Sequence, residues 1–182
     1  NYTLIDSNNI TSWNQSNTGI TLSATGAFNN VTSNTITTYG LSADGIELAS
    51  NGASIDTDSN LKHNTITVYG ITASPIYSSG ALRTTIDNNT LNSYSNGSNS
   101  AMIAALEFQG VNWTTASNNI INVYNDTMDG ISFYGDSSHN QMVSNNITIT
   151  GNNAPGGIEL GQNGFNTNNT FRNNNITNLL GS

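Results

Sequence analysis

The sequence predicts an all-β solenoid, a single domain over residues 1–182 in which about six to seven stacked coils each contribute three short strands. One observation is an asparagine followed two residues later by an aliphatic residue, a motif that recurs through the chain. Another is a Gly-Ile-x-Leu motif that follows it. The composition, rich in Asn, Thr, Ser and Gly, favours strands and turns over long helices.

The asparagine motif has seven copies, of which the clearest are SNTITTYG at residues 33–40 and HNTITVYG at residues 63–70. Its anchoring residues are Asn8, Asn34, Asn64, Asn89, Asn119, Asn145 and Asn174. They follow one another at intervals of 25 to 30 residues. A repeat of this length indicates supersecondary units that bury their apolar faces by stacking on one another.

Each anchor lies between two predicted strands. The first strand has an apolar residue three positions before the anchor, at Ile5, Val31, Leu61, Ile86, Ala116, Met142 and Phe171. The second has one two positions after it, at Ile10, Ile36, Ile66, Leu91, Ile121, Ile147 and Ile176. Polar residues alternate with these positions, which is the period-2 pattern of a half-buried strand.

A third strand contains the Gly-Ile-x-Leu motif, which is clear at residues 19–22, 45–48, 130–133 and 157–160. Ile76 marks a degenerate copy, and residues 105–108 carry a late copy after a longer loop. Parallel strands of neighbouring coils lie about 4.8 Å apart, so like side chains are expected to form columns. We expect the anchoring asparagines to link the coils through their amides and to adopt the left-handed backbone of a tight bend.

The pattern Asn-x-Ile followed by Gly-Ile-x-Leu resembles the repeats of the pectate-lyase-like superfamily, and especially those of NosD-type proteins. The resemblance covers nearly the whole chain. It implies a right-handed, single-stranded parallel β-helix. It does not select one function, because this fold hosts lyases, hydrolases, tailspikes, adhesins and structural proteins.

Composition disfavours several classes of partner. Three Lys and Arg residues face eleven Asp and Glu residues, giving a net charge of −8. Nucleic acids and anionic membranes are therefore not expected partners, because little in the chain can pair with phosphate. No apolar run approaches the ~20 residues of a membrane span. The absence of Cys excludes disulfides and thiolate metal sites.

The outward positions of the third strands form the first candidate site, and successive coils place Thr21, Glu47, Tyr77, Glu107, Ser132 and Glu159 there. The resemblance implies that enzymes of the superfamily bind sugar on this face and act through paired acids. The three glutamates fall on alternate coils, about 9.6 Å apart, near the separation used by inverting glycosidases. Asp44 and Asp129 precede the motif glycines and can pair with this column. The alternative is a solvated strand face.

An aromatic column forms the second candidate site. Its members lie three residues beyond the inward residue of the second strand, at Trp13, Tyr39, Tyr69, Tyr94 and Tyr124. By alternation these rings face outward and stack from coil to coil. Such a row can bind carbohydrate through ring faces. The alternatives are a structural ladder that shields a corner and a contact between subunits.

Two further sets of side chains have candidate roles. Asp56, Asp58 and Asn60 offer the alternating oxygen ligands of a calcium site, although such loop residues also bond local backbone amides. No other cofactor is expected. Asn-x-Thr sequons suggest glycosylation and a secreted or cell-surface location, at Asn9, Asn30, Asn112, Asn146 and Asn175.

The apolar columns begin at Ile5 and Ile10 and continue to Phe171 and Ile176, leaving no room for a capping helix. Uncapped solenoid ends expose strand edges, so we expect head-to-tail self-assembly into a filament or a place in a longer surface array. The alternatives are that the chain is a fragment of a longer repeat protein, or that it is an unstacked monomer. The expected function is that of a secreted, non-enzymatic structural or adhesive cell-surface protein. The alternative is a module that binds or cleaves polysaccharide through Glu47, Glu107 and Glu159.

Overall fold

The strands of the computed structural model form three sheets. The structure describes residues 2–23, 28–49, 57–94, 103–124, 128–151, 156–161 and 164–179. Numbered in chain order, the first sheet contains β1 (Thr3–Asp6), β4 (Asn29–Thr32), β7 (Asn60–Lys62), β10 (Thr85–Asp87), β13 (Thr115–Ser117), β16 (Gln141–Val143) and β19 (Thr170–Arg172). The second contains β2 (Asn9–Ser12), β5 (Thr35–Thr38), β8 (Thr65–Val68), β11 (Thr90–Ser93), β14 (Ile120–Val123), β17 (Asn146–Thr150) and β20 (Asn175–Leu179). The third contains β3 (Ile20–Ser23), β6 (Ile46–Ala49), β9 (Ile76–Ser79), β12 (Ala104–Gln109), β15 (Asp129–Tyr134) and β18 (Ile158–Leu160).

Each strand pairs in parallel with the equivalent strands of the neighbouring coils. The chain therefore forms a parallel β-solenoid of about six turns with three strands per turn. No helix occurs among the described residues. The all-β solenoid that the sequence predicted is confirmed.

Aliphatic columns fill the interior. In the third sheet Ile46, Ile76, Leu106 and Ile131 are register partners and are fully buried. A second column on the second sheet is also fully buried, at Ile36, Ile66, Leu91, Ile121 and Ile147. Each such side chain contributes about 1.5–3 kcal/mol through its removal from water. The degenerate copy at Ile76 and the late copy at Leu106 thus occupy the places that the repeat predicted.

The anchoring asparagines form a hydrogen-bonded ladder inside the bend between the first and second sheets. The backbone N–H and Nδ2 of Asn34 both donate to Oδ1 of Asn64, each at 3.0 Å. Nδ2 of Asn64 also donates to the carbonyl of Val31 on the preceding coil, at 2.8 Å. This arrangement recurs along the stack and satisfies amides that would otherwise be costly to bury.

The left-handed backbone at this bend belongs to the residue before each anchor, so our expectation for the anchors themselves was wrong. Positive φ values occur at Ser7, Ser33, His63, Asn88, Asn118, Ser144 and Asn173. One left-handed residue is enough to turn the chain, which leaves the following asparagine free to direct its amide along the stack. A second column of left-handed residues precedes the first sheet, at Phe28, Asp58, Arg83, Trp113, His139 and Asn168.

The glycine of the Gly-Ile-x-Leu motif permits close approach between chain segments. A Cβ at Gly130 would lie 2.4 Å from Cγ2 of Ile147 and 2.6 Å from the carbonyl oxygen of Gly157. Side chains do not tolerate such distances, so only glycine brings the third strand this close to the second-sheet column and to the next coil.

Candidate functional site

The outward column of the third sheet has the composition that the sequence predicted. Register partners place its members in the order Thr21, Glu47, Tyr77, Glu107, Ser132 and Glu159. The three glutamates therefore occupy alternate strands, about 9.6 Å apart along the stack. Each is only partly exposed to solvent.

Asp44 and Glu107 are linked through Ser74. The backbone N–H of Ser74 donates to Oδ1 of Asp44 at 2.7 Å, and its hydroxyl donates to Oε2 of Glu107 at 2.9 Å. Burial raises the pKa of Asp44 to about 7, with a further contribution from the charge of Glu47, although the Ser74 N–H opposes this rise. Burial also raises the pKa of Glu107 to about 7; the Ser74 bond opposes this and the charge of Asp44 adds to it.

Asp129 and Glu159 form a second carboxyl pair on the same face. Asp129 is 5% exposed. Burial, followed by a hydrogen bond to the Glu159 side chain and by the charge of Glu159, raises the pKa of Asp129 to about 8. The backbone N–H of Gly156 opposes this rise. A protonated Asp129 therefore donates to Glu159 near neutral pH.

Tyr77 lies among these carboxyl groups. Its hydroxyl donates to Oε1 of Gln109 on the next strand of the sheet. Burial raises the pKa of Tyr77, and the charges of Glu107, Asp44 and Glu47 act in the same direction, while a hydrogen bond with Ser79 opposes them. The phenol thus remains a neutral donor beside the acids.

No cation compensates this face within the described part of the chain. The basic residues Lys62 and Arg172 lie on strands of the first sheet, and Arg83 precedes another strand of that sheet. Among the described residues the one ion pair joins Arg83 to Asp58, at 2.8 Å. The third-sheet face therefore combines carboxyl groups that are protonated near neutral pH with carboxylate acceptors and hydroxyl donors. Such a surface is able to bind polyhydroxylated ligands or to transfer a proton.

The sequence indicated Asp44 and Asp129 as neighbours of the glutamates but missed Ser74, which joins Asp44 to Glu107. A signal for Ser74 was present, because it lies two residues before Ile76 just as Asp44 lies two residues before Ile46. Equivalent positions on adjacent coils come together in a solenoid.

The aromatic column is stacked and outward-facing, as predicted. Ring centroids of successive members are 4.2 to 4.9 Å apart, and the ring planes are nearly parallel. The faces of Tyr39, Tyr69 and Tyr94 are therefore covered by their neighbours, and ring edges and hydroxyl groups remain exposed. Carbohydrate binding by Trp13, Tyr39, Tyr69, Tyr94 and Tyr124 stays a prediction, and these central rings can contribute to it through edges and hydroxyls.

The candidate calcium ligands are in part engaged elsewhere. Asp56 lies outside the described residues. The carboxylate of Asp58 makes two hydrogen bonds to Arg83, each 2.8 Å long, and Nδ2 of Asn60 donates to Oδ1 of Asn30 at 3.0 Å. The described residues contain no group of three or more acidic, His or Cys side chains arranged to hold a metal ion. Calcium binding stays a prediction.

The sequons differ in accessibility. Asn9, Asn146 and Asn175 are exposed on the second sheet, and Nδ2 of Asn175 donates to Oδ1 of Asn146 at 2.9 Å. Asn30 and Asn112 are partly buried, and each accepts hydrogen bonds through its side-chain oxygen. The first three are therefore the more accessible candidates for modification.

The apolar columns are less buried on the first and last described coils than on the middle ones. Ile5 and Ile10 are only partly buried. Phe171 and Ile176 are exposed, although their register partners Met142 and Ile147 are fully buried.

No protein-family model matches the sequence, and neither does any curated protein. Among the described residues, no helix has the length and apolar character needed to cross a membrane.

Proposed function

We propose that the chain is a secreted, non-enzymatic structural or adhesive protein of a cell surface, whose coils stack end to end. The contrast within one column carries this proposal. Ile147 is fully buried, and its register partner Ile176 on the last described coil is 47% exposed. Covering this surface with a further coil would repeat the packing of the interior.

Other observations support the same role. The continuous core and the asparagine ladder link each coil to the next, and only 8% of all residues are charged, so few charges deter contact at a strand edge. The exposed sequons at Asn9, Asn146 and Asn175 fit a secreted protein. We also assign the chain to the pectate-lyase-like superfamily, with NosD-type repeats, on the strength of its motifs.

Ile176→Asp is expected to abolish self-association, because it places a charge on the uncovered apolar column. Ile120→Asp is the matched control: Ile120 is 46% exposed, close to Ile176, but lies on the outer face of a middle coil. Sedimentation at high concentration should show association of the unsubstituted chain and of the control, and electron micrographs should show elongated particles. A monomeric unsubstituted chain, or equal behaviour of the two variants, would contradict stacking.

A second function, polysaccharide binding or cleavage, is favoured by the uncompensated carboxyl groups of the third sheet. Buried acids with raised pKa values are costly to stability and are common at functional sites. Glu107, protonated near neutral pH, would serve as a general acid, and Glu159 two strands away would lie near the separation of an inverting pair.

A panel of neutral and acidic polysaccharides separates the two functions. If the protein is non-enzymatic, incubation will release neither reducing ends nor unsaturated products. Product release that Glu107→Gln lowers at least ~100-fold would establish the second function instead. Asp58→Asn is the control: it also removes an acid, but Asp58 is paired with Arg83 near the first sheet and lies outside the third-sheet face.

A further inference from the structure

The asparagine ladder has a direction. Each interior backbone N–H donates to Oδ1 of the anchor on the following coil, as Asn145 does to Asn174 at 3.0 Å. Among the described residues, Oδ1 of Asn8 receives no donor and the backbone N–H of Asn174 finds no acceptor. The first and last coils thus present an acceptor end and a donor end of the same ladder.

Opposite charges occupy the ends of one outward column on the first sheet. Register partners place its members in the order Asp6, Thr32, Lys62, Asp87, Ser117, Val143 and Arg172. Arg172 forms no ion pair within the described part of the chain. Inside the column, a cation at Lys62 already precedes an anion at Asp87 on the next coil.

One register of strand pairing matches the last coil of one copy to the first coil of a second copy in apolar contacts, hydrogen bonds and charge. If Asp6 of a second copy follows Arg172, Ile5 of that copy faces Phe171 and Ile10 faces Ile176. The ladder residue Asn8 then faces Asn174, because the bend between the first two strands has the same length at both ends. Apolar side chains meet apolar ones, the ladder donor meets its acceptor, and cation meets anion.

We propose that a second copy of this chain docks head to tail on β19 and β20, in a register set by pairing of Arg172 with Asp6 of the incoming copy. The inference rests on the proposed end-to-end stacking and names its partner and register. The third sheet has six described strands against seven in the other two. The proposed contact therefore concerns the first two sheets.

A charge-reversal pair tests this register. Asp6→Arg and Arg172→Asp each bring like charges together at the contact, and each is expected to weaken association at least ~10-fold in sedimentation equilibrium. A 1:1 mixture of the two variants restores an opposite-charge pair at every contact and should associate like the unsubstituted chain. The doubly substituted chain should do so too. Lys62→Asp changes the net charge as Arg172→Asp does but lies on a middle coil, so it should leave association unchanged.

The outcomes separate this inference from the stacking on which it rests. If the unsubstituted chain associates and neither reversal weakens it, stacking stands and the Arg172–Asp6 register is wrong. The register is also wrong if both reversals abolish association and the mixture, still folded by circular dichroism, does not recover it. A chain that stays monomeric at every concentration overturns both proposals.

Discussion

Replacing Asn89 with alanine is expected to lower the free energy of unfolding by about 4 kcal/mol. Asn89 is 1% exposed. Its Oδ1 accepts from the backbone N–H and Nδ2 of Asn64 at 2.9 and 3.0 Å, and its Nδ2 donates to the carbonyl of Leu61 at 2.8 Å and to Oδ1 of Asn119 at 3.1 Å. Alanine removes the acceptor of the Asn64 backbone N–H and the side-chain donor to the Leu61 carbonyl. Nδ2 of Asn64 keeps its bond to Val31, and Oδ1 of Asn119 keeps its bond from the backbone N–H of residue 89. Each unsatisfied buried group costs about 1–3 kcal/mol.

Urea denaturation of three variants checks this expectation. Asn92→Ala is the control, because Asn92 lies on the outward side of the same strand and its amide bonds Thr67 and Asn122 at the surface. Its replacement should cost about 0.5 kcal/mol. Asn89→Asp keeps the acceptor but turns the donor into an oxygen that faces Leu61 and Asn119, so it should destabilise as much as alanine. Equal costs at Asn89 and Asn92 would show that the ladder contributes little.

Raising the pH from 5 to 8 is expected to destabilise the folded chain by about 3 kcal/mol. The pKa values of Asp44 and Glu107 rise to about 7 in the folded protein and that of Asp129 to about 8, from ordinary values near 4. The folded chain therefore binds protons that the unfolded chain has released. Stability is greatest below pH 4 to 5 as far as these groups are concerned, and it is lost as pH rises through 7 to 8. Each group contributes at most about 1.4 kcal/mol per pH unit, and partial solvation reduces this.

The triple variant Asp44→Asn, Glu107→Gln and Asp129→Asn should remove most of this dependence, because its amides do not titrate. Asp6→Asn is the control: hydrogen bonds from Thr32 and Ser7 lower the pKa of Asp6, so its titration falls below the pH range in question. Thermal melts at half-unit pH intervals supply the measurement. A flat profile for the unsubstituted chain, or an unchanged slope in the triple variant, would contradict the assignment of these protons.

The columns were predictable because a solenoid converts sequence period into spatial contact. Ile36 and Ile66 recur at the same place in the motif, so their contact needs no knowledge of long-range folding. The interior was less predictable where a small side chain on one coil is offset by a large side chain on the next. Ser78 occupies a core position where Leu48 is its partner on one side, and the larger Phe108 lies on the other. The size of a core side chain thus depends on how it packs against neighbouring coils, and this cannot be read from a single repeat.

The candidate site was only partly predictable for a related reason. Alternation assigned Glu107 to the outer face, but its pKa depends on how much water reaches it, and that is set by neighbouring coils rather than by its own strand. The link through Ser74 joins three successive coils, so it follows from stacking. Sequence pattern therefore located the acids, and packing determined their chemistry.

The stacking of equivalent strands also determines how the protein would bear mechanical load. Force along the solenoid axis would act on the three sheets and the asparagine ladder of a coil junction together, because the strand pairing and the bonds from one anchor to the next run between coils. Force applied at the ends of a stack of coils would instead detach the coils one at a time, since a coil at the end of any stack has a neighbour on one side only. The chain would then lengthen in successive steps, each releasing one coil of 25 to 30 residues, while the remaining coils stay folded. The same molecule would thus resist force along its axis and lengthen under force applied at its ends.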